Sequence, residues 1–118
     1  MSKFLVVLSR GLEDPTRVVR CLQFAKIAAD KGHETVLFLV DDAAVIARLG
    51  ALDMVKAPTG DEAKPYMDFL IEKKVPIMVC TPCANARLMD PEEFVEGARL
   101  ETGLTLIDLA EESKVFSF

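Results

Sequence analysis

Tryptophan is absent from this chain, and tyrosine and histidine each occur once. With seven phenylalanines as the main aromatic residues, an aliphatic core is expected rather than an aromatic binding surface. A basic stripe is also missing. The 14 lysines and arginines are scattered along the chain against 19 acidic residues, for a net charge of -5. Nucleic-acid binding requires clustered cations to neutralise phosphates, so no nucleic-acid partner is expected. Neither G-x-G-x-x-G nor a P-loop occurs, which argues against nucleotide binding. The amino-terminal apolar run spans only Phe4 to Leu8, too short for a secretory core or a membrane span. A cytoplasmic location with no membrane partner is therefore expected. Cysteine is scarce and odd in number, three in all, which makes a disulfide framework an unsuitable reading.

What remains is an ordinary globular composition, 51% hydrophobic and 28% charged. At 118 residues the chain can bury one sizeable core, and a single domain over residues 1–118 is expected. No internal repeat, low-complexity tract or linker interrupts it.

Phe4 to Ser9 is a continuous apolar run of the kind found in strands covered on both faces. Asp14-Pro15 supplies an N-cap followed by proline at the first helical position, and the helix should run to Lys31, where Gly32 stops it. Val18, Leu22, Ala25 and Ala29 mark its inner face. A second strand is predicted over Glu34–Val40, then Asp41-Asp42 capping a short helix, Ala43–Leu49. Leu52–Lys56 reads as a possible short strand. Thr59-Gly60-Asp61-Glu62 fits a capping box, although Pro65 points to a helix start near itself, with Met67, Leu70 and Ile71 facing inward. Val75–Val79 is a strand. Asp90-Pro91 repeats the helix-start pattern, Gly103 breaks it, a helix follows around Leu106–Glu112, and Lys114–Phe118 closes as a strand. Alternating strands and helices predict an α/β fold, a three-layer α/β/α sandwich around a mostly parallel sheet of about five strands.

The chemistry concentrates in Cys80-Thr81-Pro82-Cys83-Ala84-Asn85-Ala86-Arg87, which follows an apolar strand directly. In open parallel sheets reactive groups collect outside the carboxyl ends of strands. A thiol there can be activated by a helix N-terminus, because the thiolate is the reactive form. Arg87 lies four residues after Cys83, so on a helix both share a face, and its guanidinium is expected to support a sulfur anion. Thr81 and Asn85 belong to the same loop. Arg10-Gly11, after the first strand, is expected at the same end of the sheet as a second wall.

Single cysteines are often just small buried apolar residues. That reading suits Cys21, and core filling suits Met54, Met67, Met78 and Met89. His33 reads as a strand-edge or capping residue, Asp41-Asp42 as a helix cap, and Glu92, Glu93, Glu96, Glu101, Glu111 and Glu112 as solvated helix faces. For the Cys80/Cys83 pair three chemistries compete. Thioredoxin-like dithiol exchange is weakened because only 35 residues follow Cys83 and no strand opens with a suitable proline. Zinc needs four ligands, so a site would have to be shared between subunits. Sulfur carriage needs one exposed nucleophile, an anion-friendly loop and a docking partner. A non-catalytic interaction subunit is the alternative from outside enzymology.

The runs Lys31-Gly32-His33-Glu34-Thr35-Val36-Leu37-Phe38-Leu39-Val40-Asp41-Asp42 and Lys74-Val75-Pro76-Ile77-Met78-Val79-Cys80, with the closing Lys114-Val115-Phe116-Ser117-Phe118, resemble the DsrE/DsrF/TusD-like sulfur-relay family. The resemblance implies a three-layer α/β/α fold, small oligomers such as trimers or hexamers, and a cysteine that carries sulfur as a persulfide. Carried over here, that cysteine is Cys80, with Cys83 as a resolving or secondary thiol. It implies no cofactor, and partners that are copies of the chain and sulfur donor and acceptor proteins.

Overall fold

The computed structural model describes residues 1–118, and its centre is a five-stranded sheet in the order β4-β3-β2-β1-β5, with every pairing parallel. The strands are β1 (Lys3–Leu8), β2 (Glu34–Leu39), β3 (Ile77–Cys80), β4 (Ala98–Glu101) and β5 (Lys114–Ser117). Four α-helices accompany them: α1 (Pro15–Asp30), α2 (Ala63–Glu72), α3 (Thr81–Ala86) and α4 (Gly103–Glu111).

The three inner strands are nearly pure hydrocarbon because both of their faces are covered. Side chains alternate across the sheet. Val6, Leu8, Leu37, Leu39, Ile77 and Val79 join the main core, whose helical half comes from Val18, Val19, Cys21, Leu22 and Ala25 of α1 and Ala63, Met67 and Leu70 of α2. Leu5, Phe38 and Met78 point the other way, where Leu106, Leu109 and Ala110 of α4 cover them. The outer strands β4 and β5 pair on one side only and carry mixed, charged sequences, Ala-Arg-Leu-Glu and Lys-Val-Phe-Ser, which suits sheet edges.

Chain direction explains this asymmetry. From β1 to β4 the strands are laid down in one direction, and right-handed crossovers put α1 and α2 on one face. The last connection runs back across the whole sheet, from β4 to β5 beside β1, so the same handedness puts α4 on the opposite face.

Local signals behave as their chemistry dictates. Asp14 caps α1 by accepting from the Arg17 N–H at 3.1 Å. At the other end Gly32, at φ 88°, closes a Schellman turn, in which its own N–H donates to Ala29 at 3.0 Å and that of His33 to Ala28 at 3.1 Å. Pro65 is accommodated inside α2 because it stands at the third helical position, where the missing N–H has no intrahelical partner to lose. The Thr59–Glu62 capping box does not form. Instead the Arg20 guanidinium donates to Thr59 Oγ1 and Asp61 Oδ2, each at 3.1 Å, and Tyr66 Oη donates to the same Asp61 oxygen at 3.1 Å. That network ties the 48–62 segment to α1.

Other expectations are corrected. Asp41–Ala47 forms a 3-10 helix, and the Leu52–Lys56 stretch is turn, with one antiparallel bridge from Lys56 to Glu62. Asp90-Pro91 starts only a single 3-10 turn, Pro91–Glu93, after which the chain passes Gly97 at φ 86° and enters β4. Gly103 opens α4 rather than ending a helix. Glu101 is therefore a strand residue. Met67, Met78 and Met89 are buried, but Met54 is 93% exposed in the turn.

Candidate functional site

Cys80 is the last residue of β3 and the N-cap of α3, which begins one residue later, at Thr81 rather than near Cys83. Its position in the topology is specific. The segments that follow β3 and β4, which are adjacent, leave toward opposite faces of the sheet. Ala84 of α3 packs into the main core, whereas α4 covers the other side. Such a divergence opens the crevice where open α/β sheets hold ligands. Across it Cys80 is registered with Glu101, and the Thr81 hydroxyl donates to the Glu101 carbonyl at 2.7 Å, which tethers the loop to β4.

Cys80 and Cys83 are both free and both partly exposed, with their Sγ atoms 2.8 Å apart as a hydrogen-bonded thiol pair. The backbone N–H of Asp41 donates to Cys83 Sγ at 3.1 Å, and the Asp41 carboxylate lies 4.0 Å from the same sulfur. Asp41 can aim its N–H this way because it sits in the left-handed region, φ 52°. Aspartate tolerates that region better than most residues.

The Asp41-Asp42 turn is held from two sides. Gly11 packs so closely on it that a Cβ would collide with the Asp42 carbonyl. Opposite, Arg87 donates to Asp42 Oδ1 at 2.7 Å through Nη2 and to the Cys83 carbonyl oxygen at 3.0 Å through Nη1. The guanidinium is thus committed to a carboxylate and a carbonyl rather than to a sulfur, and it braces the turn against α3. Asn85 is exposed, and its carbonyl accepts from the Leu88 N–H at 3.1 Å where α3 ends. Arg10 is exposed beside Gly11.

The electrostatics differ from the cationic loop expected. Loss of hydration on burial pushes the Cys80 thiol above the usual cysteine range, and the Cys83 hydrogen bond, the Cys83 charge and the Asp41 charge push in the same direction. The backbone N–H of Cys83 pulls the other way without offsetting them. The six-residue α3 has Pro82 in its first turn, which leaves it one donor fewer near the sulfur. Cys80 therefore rests as a thiol, and the Asp41 N–H is directed at Cys83 rather than at it.

Sequence reasoning assigned Asp41 and Asp42 to helix capping. Neither caps; one supplies the donor to Cys83 and the other the anchor for Arg87. An acidic pair directly after an apolar parallel strand was the available signal, since that position shares the sheet end with Cys80. Of the remaining candidates, His33 Nδ1 accepts from the Ser2 N–H at 3.0 Å at the amino end of the sheet, and Cys21 is fully buried, which pushes its thiol far above the usual range. No cluster of three or more His, Cys, Asp or Glu side chains able to hold a metal occurs within the chain.

Residues 2–118 match the DsrE/DsrF-like family. The chain belongs to it. Two archaeal relatives share 31% identity: MK0008 of Methanopyrus kandleri over 111 residues, covering 92% of this chain and 86% of its own, and MJ0989 of Methanocaldococcus jannaschii over 114 residues, covering 94% of both. Both carry the description uncharacterized protein. Among solved structures, the YchN protein of E. coli superposes with a TM-score of 0.84 at 21% identity, and the Methanobacterium thermoautotrophicum protein MTH1491, described as of unknown function, with 0.72 at 13%. Each superposition covers 100% of both chains, and at these identities the likeness is one of fold. Parallel order, layers and strand count all agree with a DsrE-like α/β sandwich. No helix in it is long and apolar enough to cross a membrane.

Proposed function

We propose that this DsrE-like protein is a sulfur carrier in which Cys80 accepts a sulfane sulfur as a persulfide and passes it to an acceptor. The carrying observation is the contact between Cys80 Sγ and Cys83 Sγ, 2.8 Å, in the crevice between β3 and β4. A thiol that rests protonated must lose its proton as it attacks. That proton leaves on the R–SH product, and the Cys83 thiol and backbone N–H, both directed at Cys80 Sγ, steady the charge formed on the way. The balanced step is Cys80–SH + R–S–SH → Cys80–S–SH + R–SH, with the donor's S–S bond broken and a new one formed at Cys80. No cofactor enters it.

Intact mass spectrometry after exposure to glutathione persulfide tests the proposal. One sulfur atom should be taken up per chain, read as added mass on Cys83→Ser, and Cys80→Ser should abolish the uptake. Uptake that survives that substitution refutes the assignment.

Dithiol–disulfide exchange by the same pair is the second reading, favoured by the same sulfur–sulfur contact. Its test is the reduction potential of the Cys80/Cys83 couple, and a pair that never closes excludes it. Partners under the carrier reading are sulfur donor and acceptor proteins and further copies of the chain, as a trimer or hexamer. Self-association is supported by the apolar surface around the β5 edge, where Phe24, Ile27, Val115 and Phe116 are 38–47% exposed, and by Leu104 and Ile107 on the outer side of α4.

A further inference from the structure

Cys83 stands in an unusual relation to a sulfur carried on Cys80. A simple relay needs one thiol, and a second one in contact is a hazard to its cargo. Here Cys83 Sγ lies 2.8 Å from Cys80 Sγ, the atom through which a persulfide would be attached. It also receives the Asp41 N–H at 3.1 Å, from a turn braced by Gly11 and by Arg87. The second thiol is therefore both placed against the first and supplied with a backbone donor from a separate loop.

We infer that Cys83 attacks the inner sulfur of the Cys80 persulfide, so that this chain releases its cargo as sulfide. The step is Cys80–S–SH + Cys83–SH → Cys80–S–S–Cys83 + H2S. The bond between Cys80 Sγ and the outer sulfur breaks, and the bond between the two cysteine sulfurs forms. The outer sulfur leaves with the electron pair of the broken bond, reduced to sulfide by the two electrons the thiols give up. The Cys83 proton leaves with it, and the Asp41 carboxylate, 4.0 Å from Cys83 Sγ, is placed to accept it on the way. Thiolate attack on a sulfur–sulfur bond is ordinary exchange chemistry, and a nucleophile already in contact outcompetes acceptors that must diffuse in. An external dithiol must then reduce the disulfide, by exchange that yields the oxidised form of that dithiol. The class of reaction that follows this one consumes sulfide, not a protein persulfide.

The inference rests on the carrier reading, and one experiment separates the two. Wild type, Cys83→Ser and Cys80→Ser are reduced, desalted and exposed to glutathione persulfide without oxygen. The reagent is then removed, and sulfide and intact mass are followed with no reductant present. Expected for the wild type is about one equivalent of sulfide per chain and a final mass two hydrogens below the reduced protein. Cys83→Ser should keep its added sulfur and release none, and Cys80→Ser should take up none. A wild type that holds its sulfur as stably as Cys83→Ser overturns the release step while leaving the carrier intact. Equal sulfide from wild type and Cys83→Ser also overturns it. If Cys83→Ser gains no sulfur, the carrier reading fails, and the release step falls with it.

Discussion

The N–H of Asp41 is directed at Cys83 Sγ across 3.1 Å, from a residue at φ 52°. Two loops separated by 42 positions in sequence are joined by this bond. It gives the second member of the thiol pair a backbone donor from a distant loop and makes the turn after β2 part of the site.

That turn depends on Gly11. A methyl group there meets the Asp42 carbonyl, so the loops after β1 and β2 must separate. Gly11→Ala is expected to cost about 1–3 kcal/mol, the usual range for overpacking. It should also speed hydrogen exchange at the Asp41 amide. Urea unfolding and amide exchange measure the two effects, and an unchanged midpoint contradicts the close approach.

Cys83→Ala removes the Cys83 hydrogen bond and charge that help hold the Cys80 thiol above the usual range. The Cys80 titration should move down, and its alkylation at neutral pH should become faster. Arg87→Met should leave that titration in place, because its guanidinium serves Asp42 and the Cys83 carbonyl. Alkylation rate against pH, read on the Cys80 peptide, distinguishes these outcomes. Cys21 is sealed in the core and reports only unfolding.

Asp61 links stability to acid. Its hydrogen bond from Thr59, with those from Arg20 and Tyr66, lowers its carboxyl from the ordinary 3.8 to about 2. A depressed carboxyl is protonated more readily in the unfolded chain than in the folded one. Its contribution is therefore complete above the ordinary value and lost as pH falls toward about 2. Wild type should lose stability more steeply than Asp61→Asn between about pH 4 and 2. Denaturant midpoints across that window decide it, and parallel curves exclude the linkage.

Self-association at the β5 edge should be sensitive to charge. Ile27 is 46% exposed on α1 and shares an apolar hollow of about 290 Å³ with Phe4, Phe24, His33 and Phe116. Ile27→Glu is expected to lower the mass measured by light scattering without changing the circular dichroism. A mass equal to wild type moves the interface elsewhere, and Leu104→Glu on α4 tests the other exposed face.

Much of the fold was legible because local chemistry and burial agree. The hydrocarbon runs of β1, β2 and β3, the Asp14-Pro15 start and the Gly32 stop each state one structure. Ala98–Glu101 was hidden, since an edge strand need not be apolar and Asp90-Pro91 imitated a helix start. The Cys80/Cys83 pair was visible from its spacing after a strand. The roles around it were not, because the four-residue step from Cys83 to Arg87 specifies proximity but not which acceptor the guanidinium takes.

Residue order alone thus determined that the chain is an α/β protein with two thiols at the carboxyl end of a strand. Those properties follow from side-chain periodicity and backbone preference, which act over a few neighbours. Only tertiary structure decided that Asp41 faces Cys83, that Asp42 takes Arg87, and that the thiols lie where connections leave for opposite faces of the sheet. Those relations join loops 20 to 45 positions apart, and the sheet order that brings the loops together is set by the packing of both its faces.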